Sequence, residues 1–333
     1  MQADAMIARA EVLADEMLFP AALTVDRADR VPETLIQLLI EQGFYGIAAP
    51  AEAGGLGTGD MGLAISTVES LSSGCLAAAF VWIQHHGPVL AAAFSQQPGI
   101  TQKWLQPLAS GELRGGIARA GARHGGLRAR RVPEGYLLDG VVPWVTGWDL
   151  IDVVHVAAID EAESVVFLMM DAVTGETLQA QLHDLVAARA SRTVTLTFRN
   201  HLVPADRFTG AQPLADWQRS EAPGSALNGA LALGVATRCR KLLRDEATAR
   251  QLTEEIDACR DSLIKADAAT TPAARASASE LALRAATTLM IHTGSRSVLT
   301  DDPAQMLLRE AGFLLVFGTR PLIRDALLTR ITR

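Results

Sequence analysis

The chain has 333 residues, 49% of them hydrophobic and 20% charged, with a net charge of −7 at neutral pH. That length allows two or three domains, and the apolar share fills a large core, which excludes a disordered chain. The acidic balance excludes broad binding to nucleic acid or anionic membranes, because a phosphate-tracking protein needs a cationic face.

The first 112 or so residues read as helices. MQADAMIARAEVLADEM is amphipathic and carries acids, with no apolar signal core, so a cytoplasmic protein is expected. PETLIQLLIEQG has helical apolar spacing, opened by Pro32 and closed by Gly43. Gly57-Thr58-Gly59-Asp60-Met61-Gly62 fits GxGxxG, but helices flank it and no acid lies about 20 positions on, so a surface turn is expected. Asp60 is a cap for MGLAISTVESLSS, with Gly74 closing it. Residues 76–94 are the most apolar stretch, broken by Gln-His-His-Gly-Pro; a buried helix is expected, with no membrane span. Thr101 is read as the cap of QKWLQPLAS, followed by Gly111.

Near Gly115 the texture changes to short β-type runs: LRARRV, GYLLDG, DVVHVAA, SVVFLMMD and TVTLTF. Asp139-Gly140 reads as a tight turn between two runs. TVTLTF alternates Thr with apolar residues, which predicts one buried and one wet face. After Pro213 helices return, with Thr271-Pro272 and Asp302-Pro303 as starts, enough for a four-helix bundle. The expected fold is α+β: an N-terminal helical domain over 1–113, a middle antiparallel β domain over 114–210 and a C-terminal helical bundle over 211–333.

Cys75, Cys239 and Cys259 show no CxxC spacing and are read as buried reduced thiols. His85 and His86 point about 100° apart on a helix, and His124, His155, His183, His201 and His292 are scattered, so no metal site is expected. No GxSxG or HExxH occurs. Trp144 and Thr146, two apart on a strand, should share a face, where an indole beside a hydroxyl suits a flat heteroaromatic cofactor. The bland alternative is a core Trp and an ordinary strand Thr.

Five segments in order resemble the acyl-CoA dehydrogenase family: FYGIAAPAEAGGLG (44–57), ITQKWLQPLASGELRGGIA (100–118), GYLLDGVVPWVTGWDLIDVVHVAA (135–158), TVTLTFRNHLVPADRFTG (193–210) and LLREAGFLLVFGTRPLIRD (307–325). The resemblance implies an FAD-linked oxidoreductase acting on an acyl-CoA thioester at Cα–Cβ, reoxidised by an electron-transferring flavoprotein. It places Trp144 against the flavin ring and Thr146 at its N5 edge, with Ala118, Gly294, Gly318 and Thr319 at matching cofactor positions. The family's base is a glutamate in a Tyr-Glu-Gly-Thr motif, and here Val316-Phe317-Gly318-Thr319 stands in its place. Phe317 accepts no proton, so no catalytic residue is assigned.

Other departures follow. Ala118 lacks the loop hydroxyl, the segment that reaches a neighbour's FAD has no counterpart, and IHTGSRSVL keeps only Gly294 of its glycine motif. Glu221 and Glu310 are fallback bases, each read first as a helix-surface acid. The pattern is similar to the shortened, degenerate subunit of heteromeric bacterial enzymes that act on fatty-acyl or steroid side-chain CoA thioesters. A homo- or hetero-oligomer with another such chain is expected, the partner supplying the glutamate and part of the FAD site. A flavin-dependent monooxygenase-like protein and a flavin-free scaffold or regulatory homologue are the alternatives.

Overall fold

The computed structural model of the chain describes residues 2–57, 59–95, 97–123, 125–220 and 222–332. Helix α1 (Gln2–Leu13) runs through a π-helical turn, Ala14–Leu18, into α2 (Phe19–Arg27). Helix α3 (Glu33–Glu41) follows Pro32 and ends before Gly43, which takes φ 83°, a left-handed conformation that suits glycine. Helix α4 (Met61–Gly74) is capped as its sequence predicts: the Asp60 carboxylate accepts from Leu63 N at 2.9 Å. Helix α5 (Leu76–Ala93) runs unbroken through Gln84-His85-His86-Gly87-Pro88. No helix among the described residues is long and apolar enough to cross a membrane. Helix α6 (Pro98–Ser110) begins before Thr101, which corrects the expected cap. Pro98 sits in its first turn, and Thr101 Oγ1 instead donates to Ala92 O at 2.9 Å.

Strand β1 (Gly115–Ala118) and the short helix α7 (Ala120–Arg123) lead into β2 (Leu127–Val132) and β3 (Gly135–Val145). Then come β4 (Val153–Ile159), β5 (Ser164–Asp171), β6 (Leu178–Leu182), β7 (Val194–Pro204) and β8 (Phe208–Pro213). They form one sheet in the order β6-β7-β3-β2-β4-β5-β8, with β1 beside β4. The sheet is mixed: the ladders are antiparallel except that β1 and one residue pair of β2 run parallel to β4. Asp139-Gly140 is not a turn. Strand β3 passes through it, and the turn lies at Pro133-Glu134, between the paired Val132 and Gly135. Gly140, at φ 128°, sits at a register shift where a Cβ would lie 2.0 Å from Gly126 O, so glycine is required for close approach.

The chain then enters α8 (Leu214–Ser220), α9 (Ala222–Leu242), α10 (Glu246–Ile264), α11 (Thr271–Thr293), α12 (Pro303–Val316) and α13 (Pro321–Ile331). Asp302 caps α12, accepting from Ala304 N at 2.9 Å. The start of α11 differs by one position: Thr271 is already helical, and its hydroxyl donates to Asp267 O at 2.6 Å. Helix α9 packs against both α4 and α11. At Gly234 a Cβ would meet Ser72 Oγ at 1.9 Å and Glu69 O at 2.5 Å, so α4 and α9 touch almost backbone to backbone. Helices before and after the sheet share one apolar core, in which Leu39 and Phe80 join Leu233 and Leu314. The sheet keeps a core of its own around Leu138, Val156 and Leu196.

Candidate functional site

Val142 pairs with Leu196 and Val145 with Val194, so β3 spends one residue more than β7 over this span. The extra residue makes a bulge, and Trp144 takes φ 62° there. The left-handed region costs a residue with a Cβ about 1–2 kcal/mol, and such strain gathers at places where a side chain must be re-aimed. The strand alternation is broken as a result. Trp144 is 58% exposed whereas Thr146 is 4% exposed, which overturns the expectation that both lie on one face.

Both residues are braced from the segment that runs from the end of β6 into β7. The Trp144 ring lies nearly parallel to the His183 imidazole, centroids 4.7 Å apart at 24°. His183 Nε2 in turn is 3.0 Å from Thr195 Oγ1. Thr146 Oγ1 is 3.3 Å from Thr193 Oγ1, which is 2.9 Å from Ser191 Oγ. Gly147 N donates to Ser191 O at 2.8 Å and Trp148 N to Arg192 O at 3.0 Å, tying the end of β3 to the loop before β7. The threonine side of TVTLTF is therefore not a wet face: Thr193 is buried and Thr195 and Thr197 are half-buried. His183, Ser191, Thr193 and Thr195 were invisible as site residues. Their only trace is the period-two spacing of hydroxyls from Ser191, which reads by default as a solvent face.

Ala118 ends β1 and is buried. Beside it, Arg119 Nη2 lies 3.4 Å from His155 Nδ1, and His155 Nε2 lies 3.0 Å from Thr209 Oγ1. Burial, and then the Arg119 charge, hold His155 well below the ordinary histidine range, so it is neutral. At the start of β1, Gly115 N donates to His85 Nδ1 at 2.9 Å, leaving Nε2 to donate to Leu108 O at 3.0 Å. Burial pushes His85 down to about 4.

At the position that the resemblance gives to the base, Phe317 follows the last turn of α12. Its ring meets Phe80 edge-on, centroids 4.6 Å apart at 86°, and stacks on Phe313 at 5.5 Å and 14°. Beneath it lies Arg275, 2% exposed, whose Nη2 donates to Leu314 O at 2.9 Å and Phe317 O at 3.3 Å, while Nη1 donates to Ser279 Oγ. Burial lowers Arg275 to about 10, which leaves it cationic at neutral pH. A cation at the carbonyl end of a helix is favourably placed. Gly318, at φ 61°, brings a would-be Cβ to 3.0 Å from Asn228 Nδ2. The Thr319 hydroxyl donates back to Leu315 O at 3.0 Å. Gly294 ends α11 at φ 70°, and nothing lies within 4 Å of a would-be Cβ.

The acids expected as fallbacks fare differently. Glu221 lies outside the described residues. Glu310 is not a surface acid, because α12 turns it inward; it is 6% exposed. Burial first, then the nearby Asp26 carboxylate, push it up to about 8, partly offset by Arg309. No cluster of His, Cys, Asp and Glu among the described residues could hold a metal ion; His124 lies outside them. The three thiols are buried and unpaired with one another.

Residues 2–112 match the family described as acyl-CoA dehydrogenase, N-terminal domain. The short-chain specific acyl-CoA dehydrogenase, mitochondrial, of Bos taurus is 27% identical over 212 residues, 59% of this chain and 50% of that protein. The chain thus spans about half the length of the first curated relatives it matches. Among solved structures, the butyryl-CoA dehydrogenase of Megasphaera elsdenii is 19% identical, with a TM-score of 0.85 over 99% of this chain and 98% of that one. A glutaryl-CoA dehydrogenase of Mycobacterium smegmatis in complex with FADH2 is 16% identical, with a TM-score of 0.81 over 100% of this chain and 95% of that one. Likeness at these identities establishes the fold.

Proposed function

Because the chain carries an acyl-CoA dehydrogenase N-terminal domain and has the acyl-CoA dehydrogenase fold, we propose that it is one subunit of an FAD-linked acyl-CoA dehydrogenase assembly. In this reading a partner chain supplies the catalytic glutamate. The observation that carries it is Phe317. Removing an α-proton from an acyl-CoA needs a proton acceptor at Cα, and the residue that the resemblance assigns to that position is a phenylalanine packed against Phe80 and Phe313. Glu310 is turned into the core by α12, 6% exposed, where burial and the Asp26 carboxylate favour its protonated form.

The residues that would hold FAD fit its ring half better than its remainder. When bound, FAD accepts the β-hydride at its ring. Trp144 offers an indole that remains 58% exposed with His183 behind it, and Thr146, 4% exposed, carries a hydroxyl just past the bulge. Toward the pyrophosphate and adenine, Ala118 has no hydroxyl, and the surroundings of Gly294 are open rather than a cradle. A cofactor shared with the partner is consistent with that division. Exposed apolar residues concentrate on α11–α13, among them Ile291 at 74%, Val316 at 71% and Leu322 at 70%, as an interface between chains requires. The substrate class we assign is a CoA thioester of a fatty acid or a steroid side chain, with an electron-transferring flavoprotein as reoxidant.

The same Phe317 favours one other reading, a flavin-dependent monooxygenase, since that chemistry needs no α-proton base. The test is to purify the chain alone and co-expressed with a full-length relative that bears the glutamate, then measure FAD per chain after desalting. The proposal expects the two chains to co-purify, with FAD and acyl-CoA-dependent flavin reduction in the mixed assembly. Failure to associate, or oxygen consumption by the isolated chain with reduced flavin, would overturn it.

A further inference from the structure

We propose that Ser191, Thr193 and Thr146 form a one-way chain of hydroxyl hydrogen bonds that aims the Thr146 proton outward from the sheet, making Thr193 a positioning residue of the flavin-ring site. The inference rests on the flavin reading above and deepens it. Its basis is a proton count. Three hydroxyls carry three protons, and the two contacts of 2.9 Å and 3.3 Å use two of them. One proton is left over, and of the three only Thr146, at the edge of the ring site proposed above, would have a bound flavin to take it up.

Ser191 is 0% exposed, Thr193 2% and Thr146 4%. If Thr146 donated inward to Thr193, and Thr193 to Ser191, the surplus proton would sit on Ser191 Oγ. That hydroxyl has Thr193 as its one hydrogen-bond partner among the described residues, so a donor would be stranded in the interior. If both ends donated to Thr193, the stranded proton would be on Thr193. A buried donor left unmet costs about 1–3 kcal/mol. The remaining order has Ser191 donating to Thr193, Thr193 to Thr146, and the surplus proton on Thr146, itself 4% exposed, where a bound flavin would accept it. Each link polarises the next, which strengthens the terminal donor.

The backbone holds this chain in place. Ser191 O accepts from Gly147 N at 2.8 Å, which ties the two ends of the relay to each other, and Ala190 O accepts from Val31 N at 2.9 Å, which fixes the Ser191 end to the segment before α3. Two residues further along β7, Thr195 holds His183 against Trp144. The segment entering β7 thus supports both groups that would meet a flavin ring.

The test compares Thr193→Val, Thr193→Ser, Ser191→Ala and Thr146→Val with the unaltered protein. It uses the chain alone if that retains FAD, and otherwise its co-purified assembly. The readouts are FAD affinity by fluorescence quenching and the visible bands of bound flavin. Losing one directed hydrogen bond should weaken FAD binding about three- to tenfold in Thr193→Val and move the bands toward those of Thr146→Val. Thr193→Ser, which keeps the hydroxyl, should stay within about twofold. If Thr193→Val does not fold, Ser191→Ala breaks the relay one link earlier and should move the bands in the same direction. Thr193→Val or Ser191→Ala indistinguishable from the unaltered protein, with Thr146→Val impaired, would overturn the relay and leave the flavin site standing. No FAD in either preparation, or Thr146→Val without effect, would overturn the flavin reading and the relay with it.

Discussion

Phe317 meets Phe80 edge to face, centroids 4.6 Å apart, and the contact joins the end of α12 to the second turn of α5. Phe313 closes the cluster, 5.6 Å from Phe80. An aromatic trio of this kind is a packing device, and edge-on pairs add to the burial of the rings. Phe317 is half-buried, so Phe317→Ala should cost about 2 kcal/mol, below the range for a fully buried ring. Urea unfolding measures it. A change under about 0.5 kcal/mol would mean that the ring is not holding the two helices together.

Arg275 yields a less intuitive expectation. It is a buried cation whose hydrogen-bond partners among the described residues are carbonyls and a hydroxyl, not a carboxylate. Arg275→Met removes both the hydrogen bonds and the cost of burying the charge, so the two effects partly cancel. Arg275→Lys keeps the charge, but a single ammonium cannot reach Leu314 O, Phe317 O and Ser279 Oγ as the planar fork does. The lysine variant should therefore be the less stable, by about 3 kcal/mol against wild type, with the methionine variant losing about 1–2 kcal/mol. Chemical denaturation of the pair gives the order, and a lysine variant as stable as wild type would contradict it.

Glu310 makes stability depend on pH. Its folded-state pKa of about 8 lies above the unfolded value of 4.5, so the folded chain holds a proton that the unfolded chain releases. Its favourable contribution is complete below the unfolded pKa and is lost as pH rises toward 8, at about 1.4 kcal/mol per unit. Facing it are the Asp26–Arg309 pair, 2.6 Å apart, and the Cys75 and Cys239 thiols. Glu310→Gln should remove this fall and be more stable than wild type near pH 8. Parallel melting curves at pH 5 and pH 8 check it; equal slopes for the two proteins would contradict it.

Trp144 should separate folding from binding. It is exposed and held at φ 62°, a conformation glycine adopts without strain. Trp144→Gly should leave stability unchanged or raise it by up to about 1 kcal/mol, while lowering FAD retention. A loss of more than about 2 kcal/mol would make Trp144 a packing residue instead.

Much of the fold could be read from local pattern, because strands such as LRARRV and SVVFLMMD coincide with β2 and β5. What escaped was non-local. Strand β1 reads GGIA, and glycines look like breakers. Here they are needed, since a Cβ would lie 2.6 Å from Pro88 Cγ at Gly115 and 2.5 Å from Ile151 Cδ1 at Gly116. Strands β6 and β8 are short edge strands; β6 pairs with the next strand, β7, whereas β8 pairs with the more distant β5. Period-two reasoning placed Trp144 and Thr146 on one face because a bulge depends on the register of another strand. Resemblance singled out Trp144, Thr146 and Phe317, but not the Ser191–Thr193 relay or His183, which matter only once β7 lies beside β3. Glu310 reads as a surface acid in the sequence because the direction in which α12 faces is set by its neighbours.

The most direct measurement is anaerobic: add an acyl-CoA to FAD-loaded protein and follow the flavin colour. The isolated chain should keep its colour, and the assembly with a glutamate-bearing partner should lose it at a rate that collapses when the partner's glutamate is changed to glutamine. Bleaching of the isolated chain by acyl-CoA would show that it carries a working base, and would contradict the central claim that Phe317 leaves it without one.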